Sequence, residues 1–366
     1  MITKKANLIR VLKNVNFTKN EPISIVHFLT NRCNARCSFC FIDFDDPNTF
    51  KGELTLDEIE KLTKSFGKSL LNVNLTGGEP FARKDIIEIA KLYIQNSTIQ
   101  SIYVTTNASL PERVEEFAKE ITKFKNDIEL TFQISIDDFP EKHNKVRKID
   151  NLFENCIDTY FRLKKLTPNI NPVVSITVNH ENCDDIKNIF DHLVNTCKID
   201  SLKCTIVRDE GVYKTPQDKK QKIYQAYSWL TQKINELTKE KKLNNYNSTS
   251  IQGKLHNKKD KISWDLIKKM YLQPKYISPC HAGSLFGIIT ASGQVYPCEI
   301  LEDKMIGDLR ENDMNFMKIW DSATANSTKE FILKTKCNCS YECALTYNIL
   351  GNWRYQPSLI SSILKF

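Results

Sequence analysis

Between Ser24 and Arg208, short runs rich in β-branched and aromatic residues alternate with longer amphipathic stretches of helical period. Six strands are predicted: Ser24 to Thr30, Leu71 to Thr76, Ser101 to Thr106, Ile128 to Ile136, Val173 to Asn179 and Leu202 to Val207. The fourth has the plainest period of two, with Ile128, Leu130, Phe132, Ile134 and Ile136 on one side. Between strands, a capping box from Thr55 to Glu58 starts a helix striped by Leu56, Ile59, Leu62 and Phe66. Pro111 suits a first helical turn, and Leu152, Cys156, Tyr160 and Leu163 line the next helix, Ile186, Ile189, Phe190 and Leu193 the one after. Such alternation predicts an α/β fold with right-handed crossovers, here six units curling into a partial, TIM-like (β/α)6 barrel. A site in that fold belongs at the C-terminal ends of the strands.

After Arg208 the pattern changes. A long polar helix opens at Thr215-Pro216 and runs toward Leu243, followed by the loop-like stretch 244–250. The expected organisation is an N-terminal segment (1–23), the barrel core (24–210), a Lys-rich helical insertion or linker (211–274), a small C-terminal domain (275–351) and a tail (352–366). The net charge of +8 owes much to lysines between Lys214 and Lys269. Without a binding module or interleaved aromatics these read as a solvated face, so nucleic acid is not an expected partner. No apolar run approaches the roughly 18 residues of a membrane span, and the first residues lack a signal-peptide core, so a cytoplasmic location is expected.

Composition matters most through cysteine. The 12 cysteines sort into Cys33, Cys37 and Cys40, a C-terminal quintet, and four scattered singles at Cys156, Cys183, Cys197 and Cys204 that read as core thiols. The trio follows the first strand with three and then two residues between thiols. Four thiolates would close a [4Fe-4S] cluster; three leave one iron open to an outside ligand. A zinc knuckle would need a fourth ligand nearby, and His27 lies inside the strand.

The spacing C-x3-C-x2-C, with aromatic Phe39 before the third cysteine, resembles the signature of the radical S-adenosylmethionine (SAM) superfamily. The resemblance implies that the open iron chelates SAM, whose reductive cleavage yields a 5'-deoxyadenosyl radical. Gly77, Gly78, Glu79 and Pro80, at the end of the second strand, resemble the motif that holds the methionine amine in that family. By the same resemblance Ser135 and Asp137 would meet ribose hydroxyls and Arg147 the SAM carboxylate. Thr106, Asn107 and Asn179 are strand-end candidates for the cofactor, with strand-end hydrogen bonding as the plain alternative.

Cys280, Cys298, Cys337, Cys339 and Cys343 are similar to the SPASM and twitch extensions that carry auxiliary [4Fe-4S] clusters. Ser292-Gly293 reads as a hairpin turn that would bring Cys280 and Cys298 together. Five cysteines imply a twitch-like domain with one auxiliary cluster, held by Cys280, Cys298, Cys343 and one of Cys337 or Cys339; a zinc ribbon is the alternative. The expected activity is hydrogen-atom abstraction, with the auxiliary cluster accepting an electron or positioning substrate. Arg208, Glu210 and Glu299 are candidates for a base or substrate anchor, and a flavodoxin or ferredoxin is the expected reductant. The first expectation for substrate is a small metabolite such as a sugar or antibiotic precursor; the alternatives are maturation of a ribosomally made peptide and, in another class, a non-catalytic iron-sulfur carrier or sensor.

Overall fold

The computed structural model describes residues 7–209, 212–246 and 250–364. Among the described residues nine strands form one sheet: β1 (Ser24–Thr30), β2 (Asn72–Gly77), β3 (Ser101–Thr106), β4 (Glu129–Ser135), β5 (Ile170–Val178), β6 (Leu202–Ile206), β7 (Phe286–Ile289), β8 (Gln294–Tyr296) and β9 (Gly307–Asp308). Their order is β6-β5-β4-β3-β2-β1-β7-β8-β9. From β6 to β1 every pairing is parallel, with helices in the crossovers, and the sheet stays unclosed as a partial barrel. All six predicted strands are present, with ends shifted by up to three residues. The capping box forms in full, Thr55 and Glu58 exchanging side-chain and backbone hydrogen bonds.

The C-terminal part is tied to the barrel by its sheet: β7 pairs in parallel with β1, from Ser24↔Phe286 to His27↔Ile289. The expected hairpin joins β7 to β8, with Gly293 at φ +94° in its turn, a region that side-chain-bearing residues rarely adopt. The Lys-rich stretch folds into two long helices, Lys220–Lys239 and Ile251–Tyr271. The first buries Ile223, Tyr227, Leu230 and Ile234 against β5 and β6, while Lys222 pairs with Asp184. The second packs on helices Glu342–Leu350 and Gln356–Leu364. Among the described residues no helix is long and apolar enough to cross a membrane.

Parallel strands buried on both faces read as nearly continuous apolar runs. Here β1 is buried throughout, whereas β3, β4 and β6 alternate. Ile102 and Val104, Leu130, Phe132 and Ile134, and Leu202, Cys204 and Ile206 are buried in the core. The opposite face carries Asn74, Tyr103, Gln133 and Lys203, joined in part by hydrogen bonds from Tyr103 Oη to Gln133 Oε1 (2.7 Å) and from Lys203 Nζ to Tyr103 Oη (3.2 Å). This face is half-buried and polar rather than a second apolar core.

His27, within β1, is fully buried, with Nδ1 2.8 Å from Tyr93 Oη and Nε2 unpartnered. Burial, helped by the charge of Arg83, pulls its pKa from 6.5 down to about 3. Below pH 6.5 the unfolded chain takes up a proton that the native imidazole refuses, so this share of stability is lost as pH falls toward 3. A His27→Phe variant should therefore gain on the wild type by about 1.4 kcal/mol for each pH unit between roughly 6 and 4. Urea melts of both proteins across that range check the slope; parallel pH profiles would refute it.

Candidate active site and second cysteine group

Cys33, Cys37 and Cys40 lie on the loop leaving the C-terminal end of β1. Their thiols are close enough for Cys33 to feel the charges of Cys37 and Cys40. Burial pushes the Cys33 thiol up to about 11, partly offset by the amide of Ala35, which donates to Cys33 Sγ at 3.3 Å. The loop is docked by the end of β2: Gly78 N donates to Thr30 O (2.8 Å) and Glu79 N to Arg32 O (2.9 Å). A Cβ on Gly77 would stand 2.1 Å from Thr30 O, and one on Gly78 2.3 Å from Arg32 O. The two glycines thus let β2 press against the root of the cysteine loop.

Gly78→Ala should cost about 2 kcal/mol of stability or more and loosen the loop, since the obstacle is backbone rather than a flexible side chain. Chemical unfolding together with iron content after reconstitution checks it. An unchanged variant would show that the close approach is not needed.

Glu79 is buried at that junction. Its carboxylate accepts from Phe81 N (3.1 Å), Thr106 Oγ1 (2.8 Å) and Asn107 N (2.7 Å). Burial nonetheless pushes it up to about 7, because desolvation of the anion outweighs those bonds. Thr106 and Asn107 therefore meet the site through Glu79, and Asn107 Nδ2 also lies 3.8 Å from Cys33 Sγ. Pro80 begins a buried 3-10 turn that ends at Ala82.

Arg147 binds Asp137 through Nε (3.0 Å) and Nη2 (2.6 Å), and Asp137 Oδ1 accepts from Thr177 N (2.8 Å). The guanidinium lies 5.7 Å from the Phe39 ring centroid. Burial opposes its charge, but Asp137 and Cys37 hold its pKa above the ordinary arginine value. Asn179 caps the end of β5, its Oδ1 accepting from Glu181 N (2.8 Å) and Asn182 N (3.3 Å). Phe39, Asp137, His143 and Asn179 line one cleft with about 190 Å³ of empty space. Ser135, half-buried at the end of β4, offers its carbonyl to the Cys156 thiol.

Between the cysteine groups stands Arg208, just past β6. It pairs with Glu299, which also accepts from Tyr341 Oη. The guanidinium lies 4.3 Å from the Tyr341 ring centroid and 5.9 Å from that of Phe41, the residue after Cys40. Glu299 follows Cys298 directly, so this set joins the barrel loop to the C-terminal cysteines. Glu210 lies outside the described residues. Sequence reasoning missed Tyr341, and also Lys203 and Glu342; Glu342 Oε1 is buried without a partner, and burial pushes the carboxyl up to about 7. A lysine between the buried positions of β6 was the available signal.

The family model of the radical SAM superfamily matches residues 28–193, and that of SPASM, an iron-sulfur cluster-binding domain, matches residues 280–344. The chain is a radical SAM superfamily member with a SPASM domain. Solved structures share the fold of this radical SAM protein. Native anSMEcpe with bound AdoMet is 17% identical with a TM-score of 0.62, covering 94% of this chain and 100% of that one. Native anSMEcpe with bound AdoMet and Kp18Cys peptide is 16% identical at 0.60, with the same coverage. Streptococcus suis SuiB bound to precursor peptide SuiA is 15% identical at 0.58, covering 85% of this chain and 67% of that one.

Membership implies a [4Fe-4S] cluster with SAM in the radical SAM core and auxiliary iron-sulfur binding in the SPASM domain. The donor sets fit. All twelve thiols are free of disulfides, eight of them fall in the two groups, and Glu79 is a buried carboxylate beside the first.

Proposed function

We propose that this protein is a SAM-cleaving radical enzyme that modifies a peptide. The observation that carries the radical reading is the cysteine trio docked against the buried carboxylate of Glu79. With cluster and SAM bound, the core would supply a 5'-deoxyadenosyl radical that takes a hydrogen atom from an unactivated carbon, and the auxiliary cluster an acceptor for the remaining electron. Cys33, Cys37 and Cys40 are the residues to hold the first cluster. Glu79, whose charge is disfavoured by burial, gains a counter-ion when the amino group of SAM arrives. Thr106 and Asn107 fix that carboxylate, and Gly77, Gly78 and Pro80 keep the backbone close. Phe39, Ser135, Asp137 and Asn179 wall the cofactor, while Arg147 braces this wall through Asp137.

Glu299 is the proposed proton acceptor from the substrate radical, with Arg208 and Tyr341 orienting its carboxylate. Electrons would come from a flavodoxin- or ferredoxin-type donor. A non-catalytic carrier would have no use for the Glu79 site. A peptide is preferred to a small metabolite because structures similar in fold hold one, Kp18Cys in anSMEcpe and SuiA in SuiB. The test is anaerobic incubation with SAM, reductant and peptides encoded beside the gene, read by peptide mass. Loss of hydrogen or a new cross-link is expected; intact peptides alongside continued SAM cleavage would return the small-metabolite reading.

A further inference from the structure

The five C-terminal cysteines share one packed cluster but keep different immediate neighbours. Cys280 shares a thiol hydrogen bond with Cys337 and lies within electrostatic reach of Cys339. Cys298 has both Cys337 and Cys339 for neighbours. Cys280, Cys337 and Cys339 line one cleft. Cys343 keeps other company: its thiol meets the Tyr341 hydroxyl, and its nearest charges are Glu299, Arg208 and Glu342.

Local backbone explains the division. Helix Ala323–Lys334 ends with Lys336 in the left-handed region (φ +51°) and Cys337 N bonded to Ile332 O (3.0 Å), which turns the chain toward Cys280. Residues 337–341 have no helix, so Cys337 and Cys339, two apart, can present thiols to one side. Cys343 is already in the first turn of the helix Glu342–Leu350 and is carried with it toward Arg208.

Cys33 and Cys40 in the core each receive a backbone amide from the residue two further on, Ala35 and Ile42. Cys280 receives that of Ala282, and Cys298 those of Ile300 and Leu301. Amides aimed at sulfur stabilise a thiolate bound to iron, which supports Cys280 and Cys298 as ligands.

We infer that Cys280, Cys298, Cys337 and Cys339 hold the auxiliary cluster by themselves, and that Cys343 is no ligand but a thiol facing the substrate chamber beside Arg208, Glu299 and Tyr341. The inference rests on the auxiliary-cluster reading of the SPASM domain. With four thiolates every iron is closed, so this cluster can exchange electrons but cannot bind substrate through an open iron.

The test uses full-length protein carrying Cys33→Ala, Cys37→Ala and Cys40→Ala, which leaves only the auxiliary cluster. Adding Cys343→Ser should leave iron, sulfide and the reduced-state EPR spectrum unchanged, whereas Cys337→Ala or Cys339→Ala should lose most of the iron. In wild-type holoprotein, Cys343 should react with a small thiol reagent while the other four stay protected until iron is chelated, a measurement that needs no variant to fold. Iron lost on Cys343→Ser, with Cys343 protected in the holoprotein, would overturn the assignment. A parent variant that holds no iron at all would bring down the auxiliary-cluster reading itself.

Discussion

Anaerobically reconstituted, dithionite-reduced protein is expected to form 5'-deoxyadenosine from SAM, and the variant with Cys33→Ala, Cys37→Ala and Cys40→Ala to form none. The argument is local. These three thiols leave the end of β1 on one loop, whereas Cys156, a further thiol near Glu79, is fully buried with its sulfur on Asn107 O (3.2 Å). About half of the reconstituted iron should go with them while the C-terminal share stays, because the second group sits on the far side of Arg208 and relies on other segments. Total loss of iron would bring down the auxiliary-cluster reading. Nucleoside formation by the variant would remove the radical reading altogether. Glu79→Gln is a useful companion, for it keeps the shape and the hydrogen bonds at one oxygen yet removes the charge that awaits an ammonium group.

Glu299→Gln should separate SAM cleavage from product formation. The carboxylate is held from two sides, by Arg208 and by Tyr341, at the junction of barrel and SPASM domain. An amide of the same shape cannot take a proton, so modified peptide per 5'-deoxyadenosine should fall by about 100-fold or more while nucleoside formation continues. Abstracted hydrogen would then be returned to substrate or lost unproductively, which deuterium exchange between solvent, substrate and nucleoside can follow. An unchanged ratio, or an equal fall in both products, would make Glu299 a structural partner of Arg208.

Neighbours in sequence account for what could be read without coordinates. The strands β1 to β6 follow from their own periodicity, as Ile128 to Ile136 show by being completely buried at alternate positions. The Thr55 to Glu58 cap and the turn at Gly293 are closed by hydrogen bonds only a few residues long. The cysteine trio is equally local, since a loop of eight residues carries all three thiols. Glycines at 77 and 78 were visible, but their reason was not: the obstacle to a side chain is the backbone of Thr30 and Arg32, more than forty positions away in sequence.

The sequence by itself determined an alternating α/β core, a three-thiol loop at its active end and the superfamily to which both belong, because each depends on spacing within one segment. Only the tertiary structure decided that β7 pairs with β1, since partner choice between two apolar strands is set by what remains open at the sheet edge. It alone brought Arg208 to Glu299, 91 residues on, and Glu299 to Tyr341, 42 further. It also set Asp137 against Arg147, although each had been read singly as a cofactor contact. And it set Cys343 beside Tyr341 and Glu299 while Cys337 and Cys339 line a cleft with Cys280, because a helix begins between them.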